Sequence, residues 1–133
     1  MRQYPTLWHI AAPALLVTLA CMWLVGCGAS KDPVVYDPGE EERVEFRVAD
    51  TQDARLYPDR YRALFVEGSA PDEKLLQQHR QFTFFAESVE ISGDTATATV
   101  VARDAESGED KGKVQWKLQR IDDKWLISDA PLP

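Results

Sequence analysis

Three patterns of apolar and polar positions follow one another along the chain. Residues 7–25 form an apolar run without a single charge. Residues 41–81 repeat their apolar positions mainly at helical spacing. From Phe82 onward apolar and polar residues alternate, the period of a strand. Within the middle segment, Val44, Phe46 and Val48 alternate with charged residues, which is a strand signal. Yet Val44 and Val48 also stand at i,i+4, and the acidic Glu40, Glu41 and Glu42 suit a helix N-terminus. A helix is expected. Pro58 suits the first turn of a second helix, which would carry Tyr61, Leu64 and Phe65 on one face and stop at Gly68. Ser69 and Asp72, three apart, with Pro71 in the first turn, would open a third helix lined on one side by Leu75, His79 and Phe82.

The alternating segment predicts four strands. Gly93-Asp94 between Ser92 and Thr95 reads as a tight hairpin turn. That turn sets Ile91 opposite Ala96, Val89 opposite Ala98 and Phe85 opposite Ala102. Ala96, Ala98, Val100 and Ala102 then make one apolar row. Glu87 falls on that face opposite Val100. A bulge over residues 86–88 that turns it outward is preferred to a half-buried carboxylate, because an unpaired buried charge is costly. Residues 104–112 read as a polar loop. Val114, Trp116 and Leu118 mark a third strand, Asp122-Asp123 a turn, and Trp125 and Ile127 a fourth strand. That register would place Leu118 opposite Ile127, Trp116 opposite Asp129, and the Arg120 stem beside the Trp125 ring. Helices first and strands afterwards predict an α+β fold, with the N-terminal helices packed on one face of a curved four-stranded antiparallel meander.

The first pattern has a different meaning. Arg2 followed by a long uncharged run is the form of a secretory signal. It ends in Leu24-Val25-Gly26-Cys27, which resembles the bacterial lipobox at all four positions. The resemblance implies cleavage between Gly26 and Cys27 and lipid on the Cys27 thiol and the new amine. An apolar run of this length could also stay uncut as a membrane anchor, but Pro13 and the lipobox argue against it. Gly28 after the cysteine, in place of Asp, is similar to outer-membrane sorting signals of many Gram-negative bacteria. The expected organisation is a signal peptide over residues 1–26, a lipidated cysteine and tether over 27–42, and one domain over 43–133. The tether is expected from the small residues after Cys27 and from Pro33 and Pro38. The expected location is a cell membrane or outer membrane, with the domain outside the cytoplasmic membrane.

Charge and cysteine usage narrow the functions. The chain carries a net charge of −7, and losing Arg2 with the leader makes the rest more acidic. Such a surface disfavours nucleic acid and anionic headgroups. Both cysteines, Cys21 and Cys27, lie at or before the cleavage point, so the domain has no thiol for a disulfide. His79 is its single histidine, which argues against a zinc or iron site; no metal and no cofactor are expected. The acidic run over residues 104–110 reads as a solvated loop rather than a calcium loop. No Ser/His/Asp arrangement or Gly-rich phosphate loop is present.

Residues 88–100, and the last two strands with Lys124-Trp125-Leu126-Ile127 after an acidic turn, resemble the nuclear transport factor 2-like superfamily. Its members include ketosteroid isomerases and SnoaL-like cyclases, and bacterial lipoproteins of unknown function often carry the same domain. The resemblance implies a cone-shaped, cystatin-like roll whose mouth can hold a small molecule. Tyr57, Tyr61, His79, Glu87 and Trp116, with Asp129, are the polar or aromatic residues that could line it. His79 or Glu87 would be the base and a tyrosine hydroxyl the donor. Each also has a packing reading: Tyr61 and His79 lie in apolar stripes, Trp116 and Trp125 suit a core, and Asp129 suits solvent. No residue matches the superfamily's general base. The sequence therefore leans away from an enzyme, towards an envelope lipoprotein whose domain serves protein interaction or assembly. The alternatives are a binder of a small apolar ligand and, less favoured, a SnoaL- or isomerase-like enzyme. The open sheet face, with Thr95, Thr97, Thr99, Gln115, Lys117 and Gln119, is too polar to read as a dimer interface.

Overall fold

A computed structural model of the chain describes residues 36–133. The lipobox, Cys27 and most of the expected tether lie outside the described residues. Three helices, α1 (Glu40–Ala54), α2 (Pro58–Arg62) and α3 (Glu73–His79), precede four strands, β1 (Phe82–Ser92), β2 (Thr95–Asp104), β3 (Asp110–Ile121) and β4 (Lys124–Asp129). The strands form one antiparallel meander in the order β1-β2-β3-β4. The expected α+β layering is present, with helices against a four-stranded sheet.

Phe46 decides between helix and strand for α1. A strand would put it on the face of Val44 and Val48. Instead both valines are fully buried and Phe46 is 47 % exposed. The buried stripe continues through Thr51 and Ala54 at helical spacing. Three glutamates in the first turn complement the positive end of the helix, which begins at Glu40. Glu40 also ties α1 to the sheet by accepting from Trp125 Nε1 at 2.9 Å. Near the other end, Gln52 Nε2 donates to the Phe84 carbonyl of β1 at 3.0 Å.

The second helix starts at Pro58, as its fixed φ favours, but ends at Arg62, before Leu64, Phe65 and Gly68. Residues 64–66 instead add to the outer edge of β4. Ile127 N–H donates to Leu64 O at 2.9 Å, and Val66 N–H donates to Ile127 O at 2.8 Å. The edge strand's need for backbone partners overrides continuation of the helix. In α3 the cap is Asp72, whose carboxylate accepts from Leu75 N–H at 2.8 Å. Pro71 precedes the cap. The inward pair is Leu76 and His79 rather than Leu75, which is 38 % exposed. Phe82 already belongs to β1.

The first hairpin has the expected register, Ile91↔Ala96 and Val89↔Ala98. Gly93 has φ +61 while Asp94 stays at negative φ, the pattern of a II′ turn. The expected bulge is present between Ala86 and Ser88, with Glu87 the extra residue. Beyond it the pairing shifts by one, so Phe84 faces Ala102 and is buried, while Phe85 faces Val101 and points outward. The expected Phe85–Ala102 pair is thereby corrected. The β2–β3 connection is also tighter than expected. Only residues 105–109 lie outside the strands, because Asp104 Oδ1 accepts from Glu106 N–H, Ser107 N–H and the Ser107 hydroxyl. At the last turn Asp122 and Asp123 both take positive φ, 50° and 60°, the I′ geometry. Leu118 faces Ile127 and Arg120 faces Trp125, as expected, with the guanidinium 5.7 Å from the ring centroid. An irregularity between Lys117 and Leu118 pairs Asp129 with Lys117 rather than with Trp116.

The core sits between the helices and the sheet. The buried row Ala96, Ala98, Val100 and Ala102 keeps the centre of the sheet shallow. Large side chains from either side, Trp116, Phe84, Tyr61, Leu76, Leu118 and Ile127, fill that depression. The small β2 residues and the bulky neighbours are one feature, since each needs the volume the other leaves.

Candidate functional site

Three of the residues expected to line a site come together, and they come together as packing. Tyr61 from α2 and His79 from the last turn of α3 are each 1 % exposed, and Trp116 from β3 is fully buried. The Tyr61 hydroxyl lies 2.7 Å from His79 Nδ1. The His79 ring lies edge-on to Tyr61 at 5.8 Å between centroids, 5.6 Å from Phe84 and 6.3 Å from Trp116. Phe84 and Trp116 approach to 4.7 Å. Aromatic rings thus surround the histidine, and Trp116 Nε1 donates to the Pro131 carbonyl of the C-terminal tail at 3.2 Å.

Burial sets the chemistry of the pair. Desolvation pushes the His79 imidazole down to about 4, partly offset by the Ala130 backbone, which favours the charged ring. The ring is neutral at pH 7. Burial likewise raises the Tyr61 phenol far above its ordinary range, so it keeps its proton. The hydroxyl that donates to Nδ1 leaves the histidine proton on Nε2. The reverse arrangement would leave the buried phenol proton without a partner, so the donating hydroxyl is preferred.

The remaining candidates lie elsewhere. Glu87 is turned outward by the bulge, and its carboxylate accepts from Lys113 Nζ at 2.6 and 2.8 Å. It is a surface ion pair and not a base in a pocket. Tyr57 precedes α2, is 55 % exposed, and lies under the Arg60 guanidinium at 5.5 Å. It lines none of the clefts described below. Asp129 is exposed, as its solvent reading expected, and of these residues it alone borders the small cavity that His79 also lines.

Two concave regions adjoin these elements. An open groove of about 650 Å³ lies among Arg55, Arg80, Leu56, Asp104 and Glu106. Both arginines are helix C-caps, and Arg80 Nε donates to the Arg55 carbonyl at 3.0 Å. Their charges offset the negative helix ends and the two carboxylates, which leaves no net attraction for an anion. A smaller cavity of about 160 Å³ lies between α3 and the end of β4, bounded by Phe65, Ser69, Leu75, His79, Ser128 and neighbouring residues. No motif points to Ser69 or Ser128. They line the same cavity as His79, on the loop that follows residues 64–66 and at the end of β4.

Among the described residues no group of three or more His, Cys, Asp or Glu is placed to hold a metal ion. The Asp104 carboxylate of the acidic loop is engaged by its own turn, whose hydrogen bonds hold it below the usual carboxylate range. No described helix is long and apolar enough to cross a membrane. Comparison with protein-family models, with curated proteins and with solved structures finds no match.

Proposed function

We propose that this chain is a lipid-anchored envelope lipoprotein whose domain is a non-catalytic module for protein interaction or assembly. The observation that carries the non-catalytic part is the filled interior. In the superfamily that the sequence resembles, a reacting molecule would occupy the space that Tyr61, His79, Phe84 and Trp116 occupy here. A general base must reach the proton it takes, and the His79 ring is 1 % exposed, bonded at Nδ1 to Tyr61 and engaged by the Ala130 backbone. We assign the sheet to a nuclear transport factor 2-like roll with its cone packed shut. The hairpin Ser92-Gly93-Asp94-Thr95 and the alanine row support that assignment.

The anchoring part rests on Leu24-Val25-Gly26-Cys27 after an uncharged run. A doubly or triply acylated Cys27 would hold durably, where one chain alone would not. Mass spectrometry of the protein from bacterial membranes tests it. The expected result is a chain that begins at Cys27 and carries diacylglycerol, with Cys27→Ser leaving the leader uncut and no lipid attached. An intact Met1 terminus on the wild-type chain overturns the anchor. In-cell cross-linking from surface sites tests the interaction part. One discrete cross-linked complex, unchanged in His79→Gln, supports it. A chain that cross-links to nothing from any face overturns it.

A further inference from the structure

The two edges of the sheet are finished differently. Residues 64–66 bond to the Ile127 backbone and cover the β4 edge. On the β1 edge, Gln52 of α1 takes the Phe84 carbonyl, on the near side of the bulge between Ala86 and Ser88. Beyond the bulge the edge is open. Ser92 and Thr95 flank a two-residue turn and so form a hydrogen-bonded pair, and such pairs alternate along an antiparallel ladder. Ser88 and Glu90 therefore direct their backbone groups to Thr99 and Thr97. Val89 and Ile91 point theirs away from β2, where they have no hydrogen-bond partner among the described residues. Helix α1 leaves this stretch uncovered because it runs obliquely over the sheet, from Trp125 of β4 at Glu40 to Phe84 of β1 at Gln52. The side chains of Val89 and Ile91 pack against the core but are only half-buried. An unpaired strand edge is a template for another strand, and native proteins usually cover or blunt it.

Charge selects what can pair there. Glu90, exposed on the open face of the sheet, and Glu41 and Glu45, exposed on α1, have no ion-pair partner among the described residues. Glu41 and Glu45 share the helix face of Gln52, the face that α1 turns to the β1 edge. Both layers thus present negative charge to this edge. A second copy of the chain is disfavoured. An antiparallel pairing through both Val89 and Ile91 would set Glu90 of one copy opposite Glu90 of the other, and like charges directly opposite are destabilising. A basic strand meets no such conflict. We propose that the β1 edge over residues 88–92 docks an extended segment of a partner protein, with Lys or Arg opposite Glu90 and apolar residues opposite Val89 and Ile91. The backbone groups of Val89 and Ile91 hold the segment, its apolar side chains complete the cover of these two residues, and its cation pairs with Glu90. The bulge at Glu87 breaks the straight run and limits the docked strand to residues 88–92. The docking edge rests on the interaction reading above and supplies its surface.

Nitrogen-15 NMR of the full chain in zwitterionic detergent micelles, labelled at valine and isoleucine, tests this with two synthetic peptides. One is acetyl-Lys-Val-Lys-Val-Lys-amide and the other acetyl-Glu-Val-Glu-Val-Glu-amide. The basic peptide should shift the Val89 and Ile91 amide signals saturably, and the acidic one should bind about tenfold more weakly or worse. Val89→Pro removes an outward N–H and leaves the β1–β2 ladder intact. Its fold should persist, and the response of Ile91 to the basic peptide should be lost. Glu90→Lys, on the exposed face, should remove the preference for the basic peptide. Equal binding of the two peptides by the wild-type chain overturns the proposal. So does the absence of a saturable shift at Val89 and Ile91, an Ile91 response unchanged in Val89→Pro, or a preference unchanged in Glu90→Lys. A discrete in-cell cross-linked complex that forms equally with Val89→Pro overturns this edge alone and leaves the interaction reading standing.

Discussion

Acid should unfold this domain earlier than its surface carboxylates alone would require, and His79 is the reason. In the unfolded chain its imidazole titrates near 6.5, while burial in the fold lowers it to about 4. The folded-state value is depressed, so below pH 6.5 the unfolded state binds a proton that the folded state refuses. The stability that neutral His79 contributes is therefore complete above about pH 6.5, declines as pH falls, and is gone once pH drops below about 4. At about 1.4 kcal/mol per pH unit the full loss is about 3 kcal/mol, of which about 2 kcal/mol is reached at pH 5. That is a large part of the stability of a small domain. Urea unfolding followed by circular dichroism at pH 7, 6, 5 and 4.5 measures it, with His79→Gln as the comparison. The variant keeps an acceptor for the Tyr61 hydroxyl and cannot titrate. Its unfolding free energy should start lower at pH 7 and fall less steeply, so that the two curves converge towards pH 4.5. Carboxylates common to both proteins cancel in the difference. A wild-type-minus-variant difference that stays constant from pH 7 to 4.5 would refute the buried neutral histidine.

Other substitutions probe the packing and the turns. Trp116→Ala empties the centre of the core and should cost about 3–5 kcal/mol in urea unfolding; a cost below 1 kcal/mol (about the level of a surface change) would mean the interior is not packed as described. Asp123→Gly relieves a left-handed residue at φ 60° and should raise stability by about 0.5–1 kcal/mol, read as a higher melting temperature. Gly93→Ala at φ +61 should do the opposite by about 1 kcal/mol. Glu87→Gln breaks an exposed ion pair and should change stability by less than about 0.5 kcal/mol. A cost of several times that would place Glu87 in the core and contradict the bulge.

How far the sequence could be read depended on whether each feature was local. Helix α1 was ambiguous between two periods because Val44 and Val48 satisfy both, and only the exposure of Phe46, a tertiary fact, separates them. The first hairpin was legible because a two-residue turn fixes every pair that follows, and the bulge because Glu87 stood where a charge is expensive. The bulge's consequence for Phe84 and Phe85 followed from the same count and needed only the position of the extra residue. By contrast, Leu64 and Phe65 have helical spacing to Tyr61, and nothing near them in sequence shows that the Ile127 backbone lacks partners. That long-range demand ended α2 early, drew Ser69 towards Ser128, and so created the cavity beside His79. The aromatic stripe around His79 was visible as packing. The hydrogen bond between Tyr61 and His79 was not, because it joins two different helices. The chemistry of His79 is thus set by Tyr61 and the Ala130 backbone, a property of the folded assembly of α2, α3 and the C-terminal tail rather than of any segment within it.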